Sequence, residues 1–475
     1  MGLDKSADSV LSRVEAHACV GCGLCAGMFP EHWQIGCDAF GSYAARASGK
    51  DAPSQARNLQ GLAVCPFGDQ GEDEDTIARR LFGSVPGIQH RRETGYFIRS
   101  FAGAVADEAQ RAASTSGGII TWLVQDLLKS KAVDAAVCVG PGPSPDRLFE
   151  YKIIRTAEEI EQCRKSRYYP VELSQVIPRI RSGSERVVFV GLPCFVKAIR
   201  LACLADPILN KRIAYTIGLF CGHLKTRQFA QYLSRTCGVC DDAIKTVDFR
   251  KSIPGRNAWD YAFEVKTCQG QETLSREIRS LDVVGGNWSL NFFMLDACDC
   301  CDDVLSETAD VSVGDAWLPE YAQDDRGTNI VICRNPELLE RIVVAAGKGA
   351  LNVSPIEVER VIESQAGGLR HRRQGLAYRL YLARRRKQWM PRKRVAPSRT
   401  SLPLFNRLIQ RLRMQLKRRS RKMFYRYQDD PTLDRFLRAM RPWILLHNRL
   451  YWAHKKMRRM ASLARKGVKR LVGRR

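Results

Sequence analysis

The sequence contains no apolar run of the ~20 residues that a membrane-spanning helix needs. The longest run, residues 187–196, is interrupted by Gly191 and Pro193 and is followed by Lys197. Residues 1–20 hold no apolar stretch of signal-peptide length, so a chain that stays in a reducing cytoplasm is expected. No internal repeat is found. Acids are nearly missing from the last part of the chain: residues 370–475 carry 35 Lys/Arg but only Asp429, Asp430 and Asp434.

That last absence divides the chain electrically. The formal net charge is +26 over 475 residues. Residues 1–369 hold 41 Lys/Arg against 47 Asp/Glu, a net of −6, so residues 370–475 carry +32. A uniformly basic nucleic-acid-binding fold is disfavoured, because one segment owns all the excess charge. Hydrophobic residues at 45% exclude a wholly disordered chain, and the length suggests two or three domains.

Four regions are expected. Residues 1–95 are loop-rich, with a solvated acidic stretch at 71–75. Residues 96–250 alternate strands and helices. An apolar stripe at 119, 120, 123, 124, 127 and 128 predicts a helix over 118–130. Short apolar runs predict strands near 133–139, 186–190 and 213–219, with a helix near 195–204. This alternation predicts an α/β fold with a mainly parallel sheet. Residues 251–368 are more mixed, with strands near 261–267 and 310–313. Residues 369–475 form a basic helical tail.

There are 17 cysteines, and their clustering matters more than their number. In a reducing compartment such clusters point to metal or redox chemistry rather than disulfides. Cys19-Val-Gly-Cys22-Gly-Leu-Cys25 is a C-x2-C-x2-C run whose glycines let three thiolates face one cluster. The local Cys-Pro of a ferredoxin is replaced by Phe29-Pro30, but Cys65-Pro66 follows forty residues on. The simplest reading is a 4Fe-4S cluster on Cys19, Cys22, Cys25 and Cys65; the alternative is a zinc site. Cys194 and Cys221 each stand just past a predicted strand, where parallel sheets gather ligands. With the Cys298/Cys301 pair they can close a second four-thiolate site, or they are buried packing residues. Cys37 is expected to be a spare thiol. Cys138, Cys163, Cys203, Cys268 and Cys333 lack ligand-like spacing, and Cys237 and Cys240 fall at a helix end.

Ser114-Thr115-Ser116-Gly117-Gly118 opens the helix over 118–130. Capping hydroxyls and glycines at a helix start suit a phosphate, though the same residues also make an ordinary capped helix. In the tail, Leu446, Leu450, Ala453, Met457, Met460, Ala464, Val468 and Leu471 recur at helical spacing, with basic residues off the stripe. Trp443 and Trp452 lie near its start. A basic amphipathic helix of this kind suits an anionic membrane surface; a partner subunit is the alternative, and nucleic acid is disfavoured.

Taken in order, these pieces resemble the family of coenzyme F420 hydrogenase/dehydrogenase beta subunits. The matching motifs are the Cys19–Cys25 run, Cys65-Pro66, Ser114-Thr-Ser-Gly-Gly-Ile-Ile-Thr121, Lys165-Ser-Arg-Tyr168, Val190-Gly-Leu-Pro-Cys194, Gly218-Leu-Phe-Cys221, Cys298-x2-Cys301 and residues 309–315. They cover residues 15–335; the basic tail lies outside the pattern. The resemblance implies a ferredoxin-like iron–sulfur segment and an α/β domain that binds FAD. Ser114, Thr115, Ser116, Gly117, Gly118, Thr121, Lys165 and Arg167 would then contact the flavin. Chlorophyll-reductase-like members carry two 4Fe-4S clusters, which favours the Cys194/Cys221/Cys298/Cys301 site.

The implied activity is that of an oxidoreductase passing electrons between a one-electron carrier and a hydride-type partner. The donor is expected to be ferredoxin, a reduced deazaflavin or NAD(P)H. The implied location is cytoplasmic, peripheral at the inner face of a membrane. Tyr168, His223 and Asp315 are candidates for a general acid. The rival reading is a non-catalytic accessory protein of a membrane-associated assembly, such as one building a polysaccharide.

Overall fold

The structure is a computed structural model that describes residues 18–48, 60–69, 71–269, 272–286 and 288–472, with side chains as far as Met457 and at Met460. Its centre is an eight-stranded sheet. From edge to edge the strands are Leu351–Pro355, Arg99–Val105, Asn329–Cys333, Val311–Asp315, Ile213–Leu219, Val187–Gly191, Ala135–Ser144 and Arg147–Ile154. The inner four, Val311–Asp315 to Ala135–Ser144, are mutually parallel. The flanking joins are antiparallel.

The parallel strands form where the sequence is apolar on both faces. Val187–Gly191 is buried at every residue, as a strand covered by helices on both sides must be. Helix Ile119–Lys129 buries Ile119, Leu123, Val124, Leu127 and Leu128, the expected stripe, against one face. Helix Pro193–Ala205 covers the other; it opens with proline at its first turn and stops before Asp206, which caps the next helix, Pro207–Arg212. The remaining expected strands appear as Ala262–Gln269 and Val311–Asp315.

Two expected boundaries do not coincide with structural ones. The sheet takes strands from both sides of residue 250, so 96–250 and 251–368 share one core. The three-stranded antiparallel sheet Ile244–Lys251, Ala262–Gln269 and Glu272–Arg279 is an excursion from it. The second corrected boundary is at 369. Helix Leu404–Arg426 and the start of helix Asp434–Val472 bury Leu412, Leu416, Phe424, Phe436 and Met440 in the same core as Phe229, Phe292 and Phe293. Each such side chain contributes about 1.5–3 kcal/mol.

Part of the basic charge in this region is likewise buried. Lys417 Nζ lies 2.7 Å from Asp296 and also contacts Asp299. Arg394 reaches Glu307 and Asp75, each at 2.6 Å, and Lys393 meets Asp302 at 3.4 Å. Glu74, expected in a solvated stretch, is 5% exposed and pairs with Lys197 at 3.2 Å and Arg394 at 3.6 Å. One of its two cations comes from the tail, and the sequence pattern around 71–75 carries no sign of that partner. No helix among the described residues is long and apolar enough to cross a membrane.

Candidate functional site

The first thiol set is built by two glycines in the left-handed region. Gly21 (φ 68°) and Gly23 (φ 74°) turn the backbone sharply, and helix Leu24–Met28 starts directly after them. A Cβ at Gly21 would meet Tyr43 O at 2.3 Å, so no other residue fits. The N–H groups of Gly21 and Ala45 point at Cys19 Sγ, at 3.4 and 3.5 Å. Cys65 lies in a tight turn between Leu62 and Gly68. Burial pushes its thiol up to about 12, the Cys19 thiol adding to the effect while the Phe67 and Gly68 N–H groups oppose it. Burial also raises Cys22 and Cys25, each with two or three of the other thiols of the set as neighbours. The structure therefore brings Cys19, Cys22, Cys25 and Cys65 together. Cys37 is exposed, apart from the set.

The second set comes from three separate elements. Cys194 sits in the first turn of helix Pro193–Ala205, at the carboxyl end of strand Val187–Gly191. Cys221 lies just past strand Ile213–Leu219. Cys298 is in the 3-10 turn Asp296–Cys300, and Cys301 follows that turn. Burial raises the Cys194 thiol, and the next contributions come from Cys301, Cys221 and Cys298. Leu224 N–H donates to Cys298 Sγ at 3.2 Å. Cys22 is also an electrostatic neighbour of Cys194, so the two sets adjoin. Among the described residues no three His, Cys, Asp or Glu side chains are grouped closely enough to hold one metal ion.

The three candidate acids share one wall at the same edge of the sheet. Tyr168 packs edge-on against Trp288 at 4.8 Å, and His223 packs on Trp288 at 4.4 Å. Arg250 Nη1 donates to Asp315 Oδ2 at 2.7 Å. Burial raises Tyr168, with Arg250 opposing that rise as a neighbour. Burial, then Lys225 and Arg372, lowers His223 well below its ordinary value, so its ring is neutral; its Nε2 is buried with no hydrogen-bond partner. Arg250, Trp288 and Arg372 went unnoticed in the sequence, since a lone arginine or tryptophan outside a motif carries no signal.

The glycine-rich turn is packed against the sheet. Gly118 (φ 76°) caps helix Ile119–Lys129, but the Ile119 N–H is already taken by Asn329 Oδ1 at 3.3 Å. A Cβ at Gly117 would meet Gly103 O at 2.6 Å and Asn329 N at 2.9 Å, so only glycine lets this turn pack on the sheet. Ser114 Oγ donates to Gln110 O, and Thr115 Oγ1 accepts from Ser166 N–H at 2.8 Å. Thr121 is buried in the helix. Ser116 Oγ is buried and unpartnered. Lys165 pairs with Asp248 at 3.2 Å, and Arg167 lies over the Phe149 ring at 4.6 Å. Arg167 and Phe149 line a cleft of about 470 Å³ with residues 141–145 and 242–247.

The chain is thus an α/β protein with two adjoining thiol sets and an aromatic–polar wall at the carboxyl edge of its sheet. The family described as "Coenzyme F420 hydrogenase/dehydrogenase, beta subunit" matches twice, its N-terminal part over residues 100–178 and its C-terminal part over residues 184–359. Together they cover more than half of the chain, which belongs to this family. The chain is 24% identical over 264 residues to coenzyme F420-dependent sulfite reductase of Methanocaldococcus jannaschii, covering 52% of this chain and 37% of that protein. It is 25% identical over 209 residues to chloroplastic 7-hydroxymethyl chlorophyll a reductase of Oryza sativa subsp. japonica, covering 43% and 40%. It is 26% identical over 124 residues to one subunit of the F420H2 dehydrogenase of Methanosarcina mazei, covering 26% and 34%. The matches thus span about two fifths or less of these curated relatives. A chain of the F420-reducing NiFe hydrogenase complex from Methanosarcina barkeri aligns with TM-score 0.47 and 19% identity, over 61% of this chain and 94% of that one.

Proposed function

We propose that the chain is an oxidoreductase that passes electrons through two 4Fe-4S clusters, one on Cys19, Cys22, Cys25 and Cys65 and one on Cys194, Cys221, Cys298 and Cys301. The observation that carries this reading is the pair of adjoining four-thiol sets, each buried or half-buried. The donor chemistry fits: all eight ligands are soft thiols, and backbone N–H groups already face the sulfurs, as around thiolates that keep a negative charge. Four thiols to a set fit a cluster, in which each thiolate takes its own iron. Bound clusters pass electrons one at a time, and a flavin can exchange them with a hydride-type partner.

The flavin is assigned to the wall at the sheet edge. His223 Nε2 there, and Ser116 Oγ at the start of helix Ile119–Lys129, are buried without a partner, which a bound group would supply. Tyr168, packed edge-on against Trp288 and tilted on Phe249, gives that region an aromatic lining. The chain's own work is to hold thiolates, exclude water and keep His223 neutral. The names of the relatives favour a deazaflavin of the coenzyme F420 type as the two-electron partner, with ferredoxin or NAD(P)H as alternatives, and favour a partner subunit. The exposed end of helix Asp434–Val472 is assigned to an anionic membrane surface: Leu445, Leu446, Trp452, Met457 and Met460 are all exposed on it.

Anaerobically purified protein should show a broad cluster absorption together with flavin bands, and iron for two clusters. Cys19→Ser, Cys65→Ser and Cys298→Ser should each remove the iron of one cluster and leave the flavin bands. Zinc in place of iron would overturn the electron-transfer reading. Full iron in Cys65→Ser would overturn the ligand set. A cluster spectrum without flavin bands would favour the non-catalytic accessory reading.

A further inference from the structure

Arg372 lies in a π-helical turn, His371–Gly375, set between helices Ala366–Arg370 and Leu376–Arg385. Such turns often mark functional positions. It also lies beyond residue 359, where the family match ends. Its side chain is 1% exposed. Nη1 donates to Cys298 O at 3.1 Å and Nη2 donates to Gly222 O, the residue after Cys221. One guanidinium therefore ties together two loops that carry thiols of the second set.

Its charge has no carboxylate answer. Other buried cations around the Cys298–Cys301 loop are paired: Lys417 with Asp296 and Asp299, Arg379 with Asp299, Lys393 with Asp302. No carboxylate lies within ion-pairing distance of Arg372 among the described residues. Lys225, also buried without one, is pulled down to about 7 by burial, so it can shed its proton. A guanidinium cannot. An uncompensated buried cation costs several kcal/mol, so its counter-charge has to be close by. The groups it does reach are carbonyls of the two loops that carry Cys298 and Cys221, so the second thiol set is what lies beside its charge. The first set differs: its nearby cation, Lys197, is already paired with Glu74.

We propose that Arg372 is the positioning residue that sets the reduction potential of a cluster held on Cys194, Cys221, Cys298 and Cys301, as its fixed counter-charge. This rests on the two-cluster reading above. A four-thiolate cluster is anionic and gains one more negative charge on reduction, so a fixed positive charge favours the reduced state and raises the potential. The effect is local, because the Cys19/Cys22/Cys25/Cys65 set does not touch Arg372.

The test uses the full chain, purified anaerobically, with iron content and an EPR-monitored dithionite titration. Arg372→Gln keeps hydrogen-bonding capacity and loses charge; Arg372→Lys keeps charge and loses the two-pronged geometry. The expected result is a shift of one cluster to lower potential in Arg372→Gln, none in the other cluster, and a potential close to wild type in Arg372→Lys. Loss of that cluster's iron in Arg372→Gln but not in Arg372→Lys also supports the counter-charge. An unchanged potential in Arg372→Gln overturns it. So do equal shifts or equal iron losses in both variants, which would mean that only the loop bonds matter. Wild-type protein with iron for a single cluster would overturn the two-cluster reading itself, and is seen before any variant is made.

Discussion

Lys417 and Lys455 belong to the same basic region, and only one of them meets water. Lys417 is fully buried between Asp296 and Asp299. Lys455 is exposed, its ammonium 5.0 Å from the exposed ring of Trp452. The difference runs through the whole region. Residues 366–440 plug acidic loops of the body and fill its core, whereas Tyr451, Trp452, Lys455, Lys456, Met457 and Met460 are exposed. Charge excess in a sequence therefore measures two things at once: cations that neutralise acids elsewhere in the fold, and cations left for a partner. A buried cation is retained because its acids would otherwise be buried and unpaired, which costs several kcal/mol each.

Truncation after Gly368 is the harshest way to break this comparison. It uncovers the core face held by Leu412, Leu416, Phe424 and Phe436, strands Asp299, Asp302 and Glu307 without their cations, and leaves Glu74 with Lys197 alone. The expected outcome is loss of soluble, iron-loaded protein, read as soluble yield and iron content. A soluble 1–368 chain with full iron would show that the packing is dispensable.

Lys417→Met asks the same of a single cation. It leaves Asp299, buried, and Asp296 without their ammonium, and should destabilise by about 3–5 kcal/mol, measured as a lowered denaturant midpoint. A loss below about 1 kcal/mol would place Lys417 with the surface pairs.

Truncation after Ala453 should do the reverse. Residues 454–475 hold ten Lys/Arg and no acid, each contributing about 1 kcal/mol near anionic lipid before screening. The shortened chain should keep its denaturant midpoint within about 0.5 kcal/mol and fail to float with anionic vesicles. Full-length protein that ignores anionic vesicles would hand this end to a partner subunit. The mildest change is Trp452→Ser: no measurable loss of stability, since the ring is 61% exposed, and weaker vesicle flotation. Vesicle binding of the intact chain should fall as salt rises, because exposed charges are screened.

Legibility followed locality. The Cys19–Cys25 run was readable because three thiols on a glycine-bent loop are close in sequence as well as in space. Cys194 and Cys221 were readable only as strand-end residues, and their meeting with Cys298 and Cys301 needed the parallel register of Val187–Gly191 with Ile213–Leu219. The packing of Gly117 was not readable, because the residue that crowds it, Asn329, is over two hundred positions away. Arg250 and Arg372 were invisible for the same reason: each is defined by what it touches.

The sequence by itself determined the parallel core, the helix Ile119–Lys129, the first thiol run and the charge asymmetry, because hydrophobic period, glycine placement and net charge are local or additive properties. Tertiary structure alone decided which cations are buried, which thiols converge and where the functional body ends. Those outcomes depend on desolvation, and a group's desolvation is set by neighbours that the chain brings from a distance.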